Sequence, residues 1–138
     1  MAGNELMSIR TVQVAFPTIL VVASDPKFLK FLEMALKLEF ECEVLSITRG
    51  RSAVVTAEHV KPDLFIIDYH LLDLSALELS HRLHDIEGLE SVPTILLNST
   101  VTSWSEPQKY HIIFLRMPLV LEDLYTAVNK SLFEHLDG

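Results

Sequence analysis

The sequence predicts an α/β protein, a parallel sheet with helices on both of its faces. Short apolar runs alternate five times with segments of helical period between residues 17 and 136. The apolar runs are nearly unbroken, as is typical of strands that are buried on both faces. In sheets of this kind binding sites form where the strands end at their carboxyl side, so the residues that follow each strand are the candidate site residues.

The elements follow one another in a regular order. Asp25 is predicted to cap the first helix, with Pro26 in its first turn, where the missing N–H costs nothing. Ser75 and Glu78 have the spacing of a capping box and begin the third helix. The predicted strands are residues 18–23, 41–47, 63–68, 93–98 and 112–116. The first helix follows Asp25, and the later ones are predicted at residues 51–60, 75–85 and 121–136, the last with Leu124, Val128 and Leu132 facing inward.

Composition limits the classes of function. The 138 residues suit one domain, predicted as residues 17–138 behind an N-terminal extension of residues 1–16. A net charge of −8 disfavours nucleic-acid partners, because an acidic domain repels phosphate backbones. The single cysteine, Cys42, excludes an internal disulfide. No apolar run reaches the roughly 20 residues that span a bilayer, so we expect a cytoplasmic protein without a membrane partner.

Four motifs recur at the strands in a fixed order: residues 19–26 (ILVVASDP), 61–68 (KPDLFIID), 92–97 (VPTILL) and 114–118 (FLRMP). In this order they resemble the response regulator receiver domains of two-component systems. The resemblance implies a flavodoxin-like (βα)5 three-layer sandwich, with its five parallel strands in the order 2-1-3-4-5. It also implies phosphorelay signal transduction, with Asp68 as the phosphoacceptor.

The residues that assist this chemistry in the family are replaced here. The resemblance places its pair of magnesium-binding acids on Ala23 and Ser24, its hydroxyl on Asn98 and its lysine on Met117. Asp25 follows the degenerate acidic positions, as a partial metal ligand or simply as a helix cap. A phosphoryl group needs magnesium and cationic partners to neutralise its charge. We therefore interpret the chain as a degenerate receiver, or pseudo-receiver.

Three further positions have a possible role. Phe114 occupies the aromatic switch position of the family, where packing is its default role. Met117 is predicted to fill the space that the lysine would cross, and its bond to Pro118 matches a family position that is often cis. Trp104, the single tryptophan, is a candidate interface residue, with burial in the domain as the alternative.

Histidines on the third helix are a candidate metal pair. His81 and His84 lie three residues apart, a spacing that can hold a metal ion, but the sequence offers no third ligand. We therefore expect both to be surface histidines.

The expected function is a protein-interaction module that is not an enzyme and works without normal aspartyl phosphorylation. No cofactor is expected, and magnesium enters only if Asp68 is phosphorylated. Partners would be a histidine kinase or another signalling protein, and a homodimer stays open. The alternative is a phosphorylatable single-domain response regulator that uses Asp68. A hydrolase with an aspartate nucleophile is disfavoured, because Tyr69 and His70 follow Asp68 where a second aspartate would stand.

Overall fold

The computed structural model describes residues 16–98 and 111–134, and its sheet has the predicted order β2-β1-β3-β4-β5. All four strand pairs are parallel. The flavodoxin-like fold class is therefore confirmed. The strands are β1 (Thr18–Val22), β2 (Glu43–Ile47), β3 (Leu64–Asp68), β4 (Thr94–Leu97) and β5 (Ile112–Leu115).

Four helices lie within the described residues. They are α1 (Pro26–Glu39), α2 (Gly50–Val60), α3 (Ala76–His84) and α4 (Leu121–Leu132). Each element lies where the sequence predicts it, and the bounds differ by one or two residues at most ends. The largest difference is at the last helix, predicted to reach residue 136, whereas α4 ends at Leu132. None of the four is long and apolar enough to cross a membrane.

Both predicted helix caps are present. The Asp25 carboxylate accepts a hydrogen bond from the Lys27 backbone N–H at 2.9 Å, and the Ser75 hydroxyl accepts one from the Glu78 N–H at 3.0 Å. Each cap satisfies an N–H group that has no partner inside its helix. The caps fix α1 and α3 directly after the turns that leave β1 and β3.

Two apolar layers enclose the sheet. Ile19 and Val21 of β1 face the core under α1 and α4, whereas Leu20 and Val22 face the core under α2 and α3. All four side chains are fully buried. Because this inner strand contributes to both cores, both faces of the sheet are buried only when helices cover both of them.

One polar cluster is buried in the second core, and it corrects the expectation that His84 is a surface residue. His84 is only 4% exposed, and its ring packs edge-on against Phe65. Its Nδ1 lies 2.7 Å from the Ser80 carbonyl oxygen and 3.2 Å from the Ser80 hydroxyl, and its Nε2 lies 2.9 Å from the Val92 carbonyl oxygen. His81 is exposed, as expected. The two histidines therefore do not share a surface site.

The environment of His84 suits a neutral imidazole. A neutral ring with its hydrogen on Nδ1 donates to the Ser80 carbonyl at 2.7 Å, and one with its hydrogen on Nε2 donates to the Val92 carbonyl at 2.9 Å. Burial lowers the pKa of His84, and the carbonyls of Val92 and Ser80 oppose that shift without cancelling it. The cluster thereby links the end of α3 to the segment that enters β4.

Replacement of this histidine tests the cluster. Because the pKa of His84 is lowered on folding, the unfolded chain binds the proton more readily, and stability should fall as pH drops below about 6.5. The His84→Gln variant should be less stable by about 1–3 kcal/mol near pH 7. Its deficit relative to the wild type should shrink as pH falls.

Urea unfolding at a series of pH values measures both effects. His59→Gln, at an exposed position of α2, is the matched control. A deficit of the His84 variant that stays constant between neutral and mildly acidic pH would contradict this account.

Two predictions lie outside the described residues. The N-terminal extension of residues 1–16 falls there except for Phe16, and so does the interface candidate Trp104.

Candidate functional site

The carboxyl edge of the sheet collects the candidate residues, because the strands end in register. Val22 pairs with Ile67, Asp68 with Leu97, and Leu97 with Leu115. Ala23 and Ser24 therefore follow β1 beside the end of β3, where Asp68 is the last strand residue. Asn98 follows β4 at the same edge. The prediction that these positions form one edge agrees with the strand register.

Asp68 is half-buried and is held by its own loop. Its Oδ1 accepts a hydrogen bond from the His70 N–H at 3.0 Å. The carbonyl oxygen of His70 in turn accepts a hydrogen bond from the Ser24 hydroxyl at 3.5 Å. The Asp68 carboxylate and the His70 carbonyl oxygen each accept a hydrogen bond from a group of this same edge.

The positions beside Asp68 are poor in metal ligands. Ala23 is fully buried and has no donor atom, and Ser24 supplies a neutral hydroxyl. The Asp25 side chain is exposed and caps α1 through Oδ1. Within residues 16–98 and 111–134, no group of three His, Cys, Asp or Glu side chains is placed to hold a metal ion. Magnesium prefers several hard oxygen ligands in near-octahedral geometry, so these residues do not fit the ion that the resemblance implies.

The remaining site positions bring no cation to the edge. Asn98 has a φ of 60°, and its N–H donates to the Leu115 carbonyl at 3.0 Å. Asparagine tolerates this left-handed conformation better than most residues. Met117 is 39% exposed, precedes Pro118 through a cis peptide bond and carries no charge. Phe114 is half-buried and packs against the second core.

Asp73, which sequence reasoning missed, ties the loop after Asp68 to the next helix. Its two carboxylate oxygens accept hydrogen bonds from the N–H groups of Gly50 and Arg51, at 2.9 and 3.0 Å. Burial would raise the pKa of Asp73, but the backbone hydrogen bonds from Arg51 and Gly50 together with those from Asp73 and Leu74 outweigh it and lower the pKa. The carboxylate therefore caps α2 from a distant loop. Only the acidic residue type signals this role in the sequence.

Close packing accompanies this cap. A Cβ atom on Gly50 would lie 3.2 Å from Leu74 Cδ1 and 3.4 Å from Asp73 Oδ1. The lack of a side chain at Gly50 thus lets the loop approach the helix end.

An open depression of about 580 Å³ is lined by the loop that follows Asp68 and by the first turn of α3. Tyr69 and His70 form one wall, with their rings edge-to-face at 5.2 Å between centroids. Leu72 is 89% exposed beside it. The depression is lined by Tyr69, His70, Leu71, Leu72, Ser75, Ala76 and Leu77. None of these residues is a lysine or an arginine, so the depression has no fixed cation for a phosphate group.

The architecture and the edge together define the class of fold seen in receiver domains, and solved structures of such domains match it. A CheY-like receiver domain protein from Methanospirillum hungatei superimposes with a TM-score of 0.78 at 19% identity, covering 90% of this chain and 100% of that one. The signal receiver domain of an HD domain-containing protein from Pseudomonas fluorescens gives 0.77 at 21% identity, with 90% and 100% covered.

A third match contains a metal ion. The receiver domain of a sensor histidine kinase from Pseudomonas aeruginosa, with magnesium coordinated in its active-site cleft, gives a TM-score of 0.70 at 21% identity, with 86% of this chain and 98% of that one covered. At these identities the likeness establishes the fold.

A sequence relative points the same way. The "Probable transcriptional regulatory protein TcrX" of Mycobacterium tuberculosis is 30% identical over 82 residues. The match covers 59% of this chain and 34% of the relative, so the chain spans about a third of that protein's length. No protein-family model matches the chain.

The Asp73 cap is open to a graded test. Asp73→Ala removes both acceptors at the start of α2 and should lower the free energy of unfolding by about 1–2 kcal/mol. Asp73→Asn keeps one acceptor oxygen and should lose roughly half as much. Chemical denaturation at neutral pH measures both variants, and equal losses in both, or none, would contradict a bidentate cap.

Proposed function

We propose that the chain is a receiver domain of two-component signalling that acts as a protein-interaction module without normal magnesium-dependent aspartyl phosphorylation. The observation that carries the proposal is the chemistry around Asp68. One buried alanine and one neutral hydroxyl stand at the acidic positions, and the Ser24 hydroxyl is bonded to the His70 carbonyl.

Charge decides between this proposal and ordinary phosphorylation. A phosphoryl group in transfer needs cations around its oxygens, and electrostatic stabilisation is usually the largest catalytic contribution. Met117 supplies no cation. The Asp25 carboxylate accepts a hydrogen bond from the Lys27 N–H and is held at the start of α1. Asp68 stands where the resemblance places the phosphoacceptor, and among residues 16–98 and 111–134 it has neither the acids nor the lysine that would make its phosphorylation fast.

The module is proposed to act in the cytoplasm on a signalling protein, such as a histidine kinase, and to have no enzymatic activity of its own. The similarity to a transcriptional regulator and to a receiver domain of a sensor kinase supports a place in two-component signalling. Surface contacts would then carry the signal.

Incubation with acetyl phosphate and Mg²⁺ tests the proposal, with intact mass as the readout. We expect no mass increase corresponding to one phosphoryl group in the wild type or in Asp68→Asn. A stoichiometric increase in the wild type that is lost in Asp68→Asn would overturn the proposal. The chain would then be a phosphorylatable response regulator that uses Asp68.

A gain-of-function variant sharpens the experiment. Ser24→Asp combined with Met117→Lys adds one acid and one cation at accessible positions, whereas Ala23 is fully buried and is left unchanged. Phosphorylation of this double variant but not of the wild type would show that the residues at positions 24 and 117 prevent phosphorylation of Asp68. Adding Asp68→Asn to it should abolish the gain.

A further inference from the structure

An exposed apolar stripe runs along α1, on the face that points away from the sheet. Leu29, Leu32 and Leu36 of this helix are buried in the first core. On the outer face Phe31 is 45% exposed, Met34 is 56% exposed and Leu38 is 84% exposed. Their spacing of three and four residues puts them in one line along the helix. Apolar stripes of this kind on a folded domain usually mark an interaction surface.

Aromatic packing makes the stripe a fixed surface. The ring of Phe28 stacks on Phe31 with a centroid distance of 6.4 Å. At the other end of the helix, Phe40 packs against Tyr125 and Phe133 of the C-terminal segment at 5.8 and 6.3 Å. Phe133 is itself 42% exposed, and through Phe40 it adds an exposed aromatic ring at the end of α1.

A hydrogen bond between helices fixes the same surface. The Tyr125 hydroxyl donates to the Ala35 carbonyl at 3.0 Å and joins α4 to α1. The surface is therefore formed before any partner arrives, which lowers the entropic cost of binding.

Charge at the ends of α1 indicates the occupant. Lys27 and Lys30 lie in its first half, whereas its last turn and the residues just after it carry Lys37, Glu39 and Glu41, with a net charge of −1. All five side chains are exposed. The helix carries three lysines and two glutamates, a net charge of +1, and it is the one of the four described helices with a positive net charge. The whole chain carries −8, so most of its surface repels a second copy. On this helix the net charge is small, so the distribution of charge along it decides how two copies can pack.

We propose that α1 is a homodimerisation surface on which two copies of the chain pack their helices antiparallel. A two-fold axis near Met34 brings Phe31 of one copy against Leu38 of the other, because these residues lie three before and four after it. The same arrangement places the basic beginning of each helix beside the acidic end of the other. A parallel arrangement would instead oppose like charges.

The interface is self-complementary, as a two-fold dimer requires. A pair of helices with their flanking side chains buries less than the roughly 1,600 Å² of a standard stable interface, so the dimer should be weak and depend on concentration. The inference names a partner within the proposed interaction function but does not depend on the state of Asp68. Phosphate uptake by Asp68 would overturn the proposed function and leave the dimer intact.

Sedimentation equilibrium of the full chain over a concentration series tests the dimer. Leu38→Glu should raise the dissociation constant at least about tenfold, since it places a charge in the apolar contact. Leu72→Glu is the matched control, because Leu72 is an equally exposed leucine on the loop after β3. Circular dichroism melting should show both variants to be folded.

Charge exchange tests the antiparallel arrangement. Lys30→Glu and Glu39→Lys should each weaken the homodimer, because each places like charges at both ends of the interface. An equimolar mixture of the two variants should associate more tightly than either variant alone, since opposite charges then meet at both ends. Equal association of the mixture and the separate variants would overturn the arrangement.

Three outcomes would overturn the proposal itself. The first is a chain that stays monomeric at every concentration. A dimer that Leu38→Glu leaves unchanged would place the interface elsewhere. A monomer that dimerises only after removal of residues 1–15 would mean that the leading segment of the chain covers the stripe.

Discussion

Burial of both faces of the sheet is the constraint on which the rest of the structure depends. Ile19, Leu20, Val21 and Val22 are fully buried, and consecutive residues serve opposite cores. A parallel strand pair also needs a crossover connection, so the helices that cover the faces are the same segments that link the strands. Stability therefore comes from the two apolar layers. The polar residues Ser24, Asp68 and Asn98 at the carboxyl edge lie outside these layers.

The constraint explains why the elements could be predicted from the sequence. Apolar runs such as residues 64–67 have no polar position that would let one face meet water, and this predicts a central strand directly. The caps at Asp25 and Ser75 were predictable because a cap acts within three residues of itself. The observed strand ends differ from the predicted ones by a residue or two, since pairing with a neighbouring strand decides where a strand ends.

The residues that sequence reasoning missed depend on contacts between distant segments. Asp73 caps a helix 22 and 23 residues earlier in the chain, and nothing in its local sequence encodes that partner. The sequence predicted His84 to be half of a surface pair with His81. Positions three apart still differ by about 60° around a helix, so packing against Phe65 buries His84 while His81 stays exposed. At the candidate site, the positions of Asp68, Ser24 and Asn98 were predictable. The bond between Ser24 and His70 was not.

The hydrogen bond from Tyr125 to Ala35 has a consequence for the order of assembly. The two residues are 90 positions apart in the chain, and the helices that they join are the first and the last described. Contacts of such long sequence separation form late, because the chain between them must be ordered before they repay the entropy of closing the loop. The aromatic surface shared by α1 and α4 is thus complete only once the last helix has been synthesised and has docked. A nascent chain that had released only its first three strands would present α1 without that support.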